Sequence, residues 1–255
     1  MKKGYTYSDI AVYLPTEDSW IAGIMPKEKQ FIWAWGYYEI RYVYFPDELA
    51  GYNPVWINYE FLNKATVVNN HLKIGNVDVG FLYIDAKYLD FKVLKRLVEL
   101  ANDGLKIIMK QKPQEASAVK NNNYGKLVET LCASKNFLSS IPFFYKPFLE
   151  CDDVPVHLVR KVKNELYLFF PNPKSYRLKF PLEYGQSLCQ DTIKRFITIN
   201  YNNKRYHMYI TFHPYESLLY KLDKDKIEQV DIKFVPKTPV VKKREDDYIA
   251  PWLVK

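Results

Sequence analysis

A chain of 255 residues, 48% apolar and 26% charged, is long enough to bury one large core or two modest ones. Its 22 Tyr and 15 Phe against 9 Gly favour strand-rich packing and exclude collagen-like or linker-like material. The net charge of +8 is spread along the chain, with 18 Lys/Arg against 16 Asp/Glu in residues 1–150 and 19 against 13 in residues 151–255, the pattern of a solvated surface; no nucleic-acid partner is expected.

The N-terminus, Met1-Lys2-Lys3 followed by Gly4-Tyr5-Thr6-Tyr7, has no apolar signal region, and no window approaches about 18 consecutive apolar residues, so no membrane partner is expected. Ser8-Asp9 leads into Ile10-Ala11-Val12-Tyr13-Leu14, closed by Pro15, which is the form of a short buried strand. The apolar run from Val79 to Ile84 reads as a second strand. Phe91 to Asn102 then places Leu94, Leu97, Val98 and Ala101 on one helical face, with Asp90 as its cap, Leu89 and Leu94 as its staple and Gly104 as its stop. Leu105 to Met109 returns as a strand. This βαβ unit, whose crossover is right-handed by rule, predicts an open three-layer α/β fold of flavodoxin-like type over residues 1–152.

Beyond residue 152 the period changes. Leu166 to Phe170 reads as a buried strand, and Tyr176, Leu178 and Phe180 alternate with Arg177 and Lys179 as a half-exposed one. Ile197 to Tyr201 and Tyr206 to Ile210 flank Asn202-Asn203-Lys204-Arg205 as a hairpin, and Val230, Ile232 and Phe234 form a last strand. An antiparallel β-sandwich is expected over residues 153–240. Residues 241–255 lack an apolar period and read as an extended tail with Trp252 as an anchor.

Several of these segments resemble α-L-rhamnosidase-type glycoside hydrolases: Ser8 to Pro15 with Glu17-Asp18-Ser19-Trp20, Ala101 to Leu105, Arg160 to Phe170, and Pro214 to Leu219. In such enzymes a catalytic (β/α)8 barrel is followed by a glutamine-amidotransferase-like α/β domain and then by β-sandwich domains. The chain is similar to the latter, non-catalytic C-terminal parts, and the α/β portion also resembles the trimerisation domain of β-galactosidases. The resemblance implies an accessory part of a carbohydrate-active enzyme, with a carbohydrate, a catalytic barrel or partner chain, or a homo-oligomer as partners. It implies a periplasmic or extracellular setting if the chain belongs to an exported enzyme, and a cytoplasmic one if it is complete as given.

Catalytic chemistry is not evident. A (β/α)8 barrel needs roughly 200 residues or more, and the four residues given before Tyr5 could not supply one. An amidotransferase needs a Cys nucleophile on a tight Gly-flanked turn, whereas Ile107 to Lys110 runs on into Gln111-Lys112-Pro113-Gln114 and Cys132 falls on a helical pattern. Cys132, Cys151 and Cys189 suggest neither disulfide nor zinc site and read as buried free thiols; His71, His157, His207 and His213 lack metal-ligand spacing. No metal and no cofactor is expected. Asp85, at a strand end, reads as a cap of the following loop.

Substrate contact is expected where open α/β sheets bind ligands, beyond the C-terminal ends of the strands. The richest such loop carries Glu17, Asp18 and Trp20, followed by Trp33, Trp35, Glu39 and Arg41. Aromatic faces stack on sugar CH surfaces and carboxylates bind hydroxyls, so these residues suit a carbohydrate; packing against another domain would use the same surface. Two alternatives stand beside the accessory module: a free-standing carbohydrate-binding or protein-interaction protein, and a hydrolase using Glu17 or Asp18.

Overall fold

The computed structural model describes residues 3–21, 45–173, 191–214 and 216–231. Its first sheet is built from five parallel strands, β1 (Ile10–Tyr13), β2 (Pro54–Ile57), β3 (Phe81–Ile84), β4 (Lys106–Met109) and β5 (Phe137–Leu138), in the order β2-β1-β3-β4-β5. Every residue of β1 and of β3 is buried, as a strand covered on both faces requires.

Among the described residues four α-helices connect the strands: α1 (Thr16–Ile21), α2 (Tyr59–Lys64), α3 (Phe91–Asn102) and α4 (Tyr124–Cys132). Leu94, Leu97, Val98 and Ala101 of α3 are buried as the period predicts, and α3 joins parallel neighbours β3 and β4. Asp90 holds the N-cap position, but its carboxylate makes no capping bond; the helix starts with Leu94 N–H donating to the Asp90 carbonyl. Gly104, at φ +107°, ends the helix, and a Cβ there would stand 2.3 Å from Asn70 Oδ1. The run Val79 to Ile84 is broken at Gly80: Val77–Val79 is the last strand of a three-stranded meander with Thr66–Val68 and His71–Ile74, and β3 starts afresh at Phe81.

One face of the sheet, with Ala11, Tyr13, Leu82, Ile84, Ile107 and Met109, packs against Leu62 of α2 and the buried faces of α3 and α4. The opposite face presents Ile10, Val12, Phe81, Tyr83 and Ile108. There the described cover comes from the turn around Leu49 and Tyr52 and from Leu138, Ile141 and Tyr145. A helical layer on one face is thus present, and the second layer of the expected three-layer arrangement is not among the described residues.

Antiparallel pairing takes over from β6 (Leu149–Glu150) onward. Strands β7 (Leu158–Val162), β8 (Glu165–Phe170), β11 (Leu218–Asp223) and β12 (Lys226–Gln229) pair in that order, and β9 (Ile193–Tyr201) pairs with β10 (Lys204–Phe212) and with β6. The two sheets share one apolar cluster, with Val159, Leu166, Leu168, Phe170, Leu218 and Leu222 from one and Ile197, Ile199, Ile210 and Phe212 from the other. Strand β8, expected from its apolar run to be buried throughout, is buried on one face only. Leu166, Leu168 and Phe170 point into the cluster, while Tyr167 and Phe169 are half-buried on the other face.

The β9–β10 hairpin turns on Asn202 and Asn203 alone, at φ +51° and +59°, so Lys204 and Arg205 belong to the strand and not to the turn. Asn is among the few residues that accept two successive left-handed conformations, which a two-residue hairpin of this hand demands. The last described strand, β12, ends at Gln229, ahead of the strand expected over Val230 to Phe234. Tyr176, Leu178 and Phe180, together with Ile232, Phe234 and the tail over 241–255, lie outside the described residues.

Two segments cross between the regions. Tyr5–Thr6 pairs antiparallel with Lys161 and Arg160 of β7, and Tyr7 packs against Phe148 and Tyr201. The Leu149 N–H donates to the Gly51 carbonyl at 2.9 Å, with Gly51 held at φ +86°. Among the described residues no helix is long and apolar enough to cross a membrane.

Candidate functional site

The loops after β1, β3 and β4 meet at the C-terminal edge of the parallel sheet. Strand β1 ends in Tyr13, and the chain turns through Leu14 and Pro15 into α1, so Glu17 lies one helical turn from the Tyr13 ring. The Tyr13 hydroxyl donates to the Glu17 carboxylate at 2.9 and 3.1 Å, and Thr16 Oγ1 lies 3.3 Å from the same group. Glu17 is only 2% exposed. Burial lifts its carboxyl above the ordinary glutamate range, against the pull of the hydrogen bonds that it accepts.

Asp18, the next residue, faces another way. Its two oxygens accept the backbone N–H groups of Lys87 and Tyr88 at 2.9 and 2.7 Å. The loop after β3 is therefore capped by Asp18 on α1. Asp85, expected to cap it, is exposed at the end of β3. Trp20 is 69% exposed on the same short helix. Of the expected site residues, the structure thus brings together Glu17, Asp18 and Trp20; Trp33, Trp35, Glu39 and Arg41 lie outside the described residues.

A second tyrosine–glutamate pair occupies the other face of the sheet. Tyr83 of β3 donates to Glu48, and Lys110, just past β4, reaches the same carboxylate at 2.6 Å. Desolvation pulls Glu48 upward, but Lys110 and Tyr83 outweigh it and hold the carboxyl below its usual range, while Lys110 is raised by its bond to Glu48. Sequence reasoning missed this cluster, because Glu48 stands 35 residues from Tyr83 and comes back only through the cover of the sheet.

It also missed Asp9, at the opposite end of β1. Asp9 Oδ1 accepts the Asn53 N–H at 2.7 Å, and its carbonyl accepts the Tyr145 hydroxyl at 2.6 Å. Burial pushes this carboxyl up to about 7 against the pull of the Asn53 amide. The only signal in the sequence was an acid immediately before an apolar run.

Histidine and cysteine chemistry is local. His71 pairs with Asp78 at 2.9 Å, His207 Nδ1 meets Thr198 Oγ1 at 2.9 Å, and His157, lowered by burial, faces the Pro155 carbonyl at 3.0 Å. Cys132 and Cys151 are free thiols, half-buried where full burial was expected. Among the described residues no group of three or more His, Cys, Asp or Glu side chains is placed to hold a metal ion.

No protein-family model matches the chain, and no curated protein does. Among solved structures the chain is similar to Gan42B, a GH42 beta-galactosidase, with 9% identity and a TM-score of 0.41 over 85% of this chain. It spans 40% of that enzyme's length. The similarity is a weak structural one to a glycoside hydrolase.

Proposed function

We propose that this chain is an accessory module of a carbohydrate-active enzyme that contacts saccharide without hydrolysing it. In this reading residues 1–152 form a flavodoxin-like, amidotransferase-like domain lacking its nucleophile, residues 153–240 a β-sandwich, and residues 241–255 a tail. The parallel order β2-β1-β3-β4-β5 supports the flavodoxin-like assignment, being the doubly wound order with its ligand crevice beyond the strand ends.

The observation that carries the reading is the disposition of α1: an exposed indole beside two carboxylates that are both committed to holding the fold. Glycoside hydrolysis needs two carboxyl groups presented to the sugar across a gap of roughly 5–10 Å. Glu17 is enclosed behind Tyr13, and Asp18 spends both oxygens on the amides of Lys87 and Tyr88. Trp20 remains, with an apolar face suited to the CH surface of a sugar ring.

Intrinsic fluorescence of the wild type and of Trp20→Ala, titrated with rhamnose- and galactose-containing oligosaccharides, tests the binding; aryl-glycoside turnover tests the inertness. The expected result is a saturable change lost in Trp20→Ala, with no turnover above background. Turnover abolished by Glu17→Gln or Asp18→Asn would replace this reading with that of a hydrolase.

A further inference from the structure

We propose that the outward face of the β6–β9–β10 sheet is a second saccharide platform, with Phe196 and Tyr209 as its stacking pair. The proposal shares the sugar chemistry of the reading above but none of its residues.

Strands β9 and β10 send Ile197, Ile199, Ile210 and Phe212 into the apolar cluster, so by the two-residue period Phe196 and Tyr209 face outward. They stand directly opposite each other in the ladder, with ring centroids 5.0 Å apart. Phe196 is 49% exposed and Tyr209 76%. His207 adds a third ring, parallel to Phe196 at 6.0 Å. A lone surface aromatic needs no explanation, but three adjoining rings on a solvent-facing sheet make a patch.

The next rows supply fixed polar groups. Thr198, itself buried, lies opposite the exposed His207 and bonds it, and Glu150 on β6 lies opposite Thr198. Asn200 donates to Glu150 at 2.8 Å, and Arg205 reaches Glu150 at 3.2 Å. At about 3.4 Å per residue, the rows from 196 to 200 run roughly 14 Å along the strand. Beside them, between Glu150–Asp153 and the start of β9, is a cleft of about 650 Å³ bordered by Phe196 and Thr198, within the range of small-ligand sites.

Area and charge select the occupant. The exposed ring surface is on the order of a few hundred Å², well short of the roughly 800 Å² per partner that a standard protein interface buries. Of the cations, Arg195 at the cleft is matched with Asp153 and Arg205 beyond it with Glu150; Lys194, which also lines the cleft, contributes one further charge, which gives a polyanion little to recognise. A neutral oligosaccharide fits both features, with its CH faces on the rings and its hydroxyls along the polar rows.

Calorimetric titration of the full chain with cellohexaose, laminarihexaose and a β-1,4-galactan hexasaccharide tests this, with a hexagalacturonate as the anionic control. In a Trp20→Ala background, which removes the contact proposed above, at least one neutral hexasaccharide should still bind, about tenfold or more weaker once Phe196→Ala/Tyr209→Ala is added and at nearly unchanged strength with Tyr209→Phe. Both residues are exposed, and an unchanged thermal midpoint verifies that the double variant folds. The proposal is overturned if no neutral sugar binds, if only the hexagalacturonate binds, or if binding is indifferent to the rings. Loss in Trp20→Ala alone would leave the earlier reading standing and sink this one. Size-exclusion showing a dimer that the double variant dissolves, with no sugar bound, would assign the rings to self-association.

Discussion

The parallel and antiparallel regions use similar strand residues in opposite ways. In the first, β1 and β3 are buried on both faces, and polar chemistry gathers toward the strand ends: Asp9 before β1, Tyr13 at its end with Glu17, and Tyr83, next to last in β3, with Glu48 and Lys110. In the second, alternation leaves a face of β9 and β10 open, so Phe196, Tyr209 and His207 stand exposed part-way along their strands. A covered sheet can present function only at its rim, whereas a half-open one can present it across its surface.

The sharpest way to break that comparison is to truncate one strand residue from each region. Leu82→Ala, at a fully buried position of β3, should cost about 2–5 kcal/mol in chemical denaturation, while Tyr209→Ala on the open face should stay within roughly 0.5 kcal/mol. Equal losses would show that the β10 face is packed in solution.

Next in size is the seam. Gly51 sits at φ +86°, and a Cβ there would lie 2.1 Å from the Leu149 carbonyl oxygen. Gly51→Ala should therefore destabilise the protein by about 2–3 kcal/mol. If the regions depend on one another, a single unfolding transition shifts; two separated transitions would show that they unfold independently.

Asp9 provides a pH test of the rim. Its carboxyl is raised in the fold from the ordinary aspartate value of 3.8 to about 7, so between those values the folded state holds more protons than the unfolded one. Stability from this group is therefore full below about pH 4 and falls as pH rises to about 7, by on the order of 1–3 kcal/mol. Asp9→Asn should flatten that fall in thermal melts taken across the window; an unaltered pH slope would mean that the carboxylate is ionised and solvated there.

Smallest is Asp18→Asn, which keeps the size of the side chain but weakens its bonds to the amides of Lys87 and Tyr88. A loss of about 1 kcal/mol is expected. Faster hydrogen exchange at those two amides, with the amides of β9 and β10 unchanged, would place the effect at the rim; exchange rising equally in both regions would contradict it.

Much of the parallel region was legible, because a buried strand and an amphipathic helix each have a short-range signature. The β3–α3–β4 crossover follows directly from Leu94, Leu97, Val98, Ala101 and Gly104. What was lost has a physical cause in each case. The meander over Thr66–Val79 is made of strands of three and four residues, too short for a period to register, and Gly80 divided a run that composition alone joined. The cap on the loop after β3 was assigned to Asp85 because it is near in sequence, while the fold supplies Asp18, some 70 residues away. Within the candidate site, residue type identified Glu17, Asp18 and Trp20 as neighbours on one loop, but not that the first is enclosed, the second bonded and the third open. Those differences come from tertiary placement.

The pairing of Tyr5–Thr6 with Arg160 and Lys161 has a consequence for biosynthesis. As the chain leaves the ribosome, residues 5–7 emerge well ahead of their partners, which follow only some 155 residues later, at about 5–20 residues per second a delay of roughly 8–30 s. The parallel sheet can collapse within that interval, since all its strands precede β6. Its N-terminal extension then waits as an unpaired edge until β7 and β8 have been made. A segment translated ahead of both regions is thus among the last to find its place, and it acts as a latch that joins them.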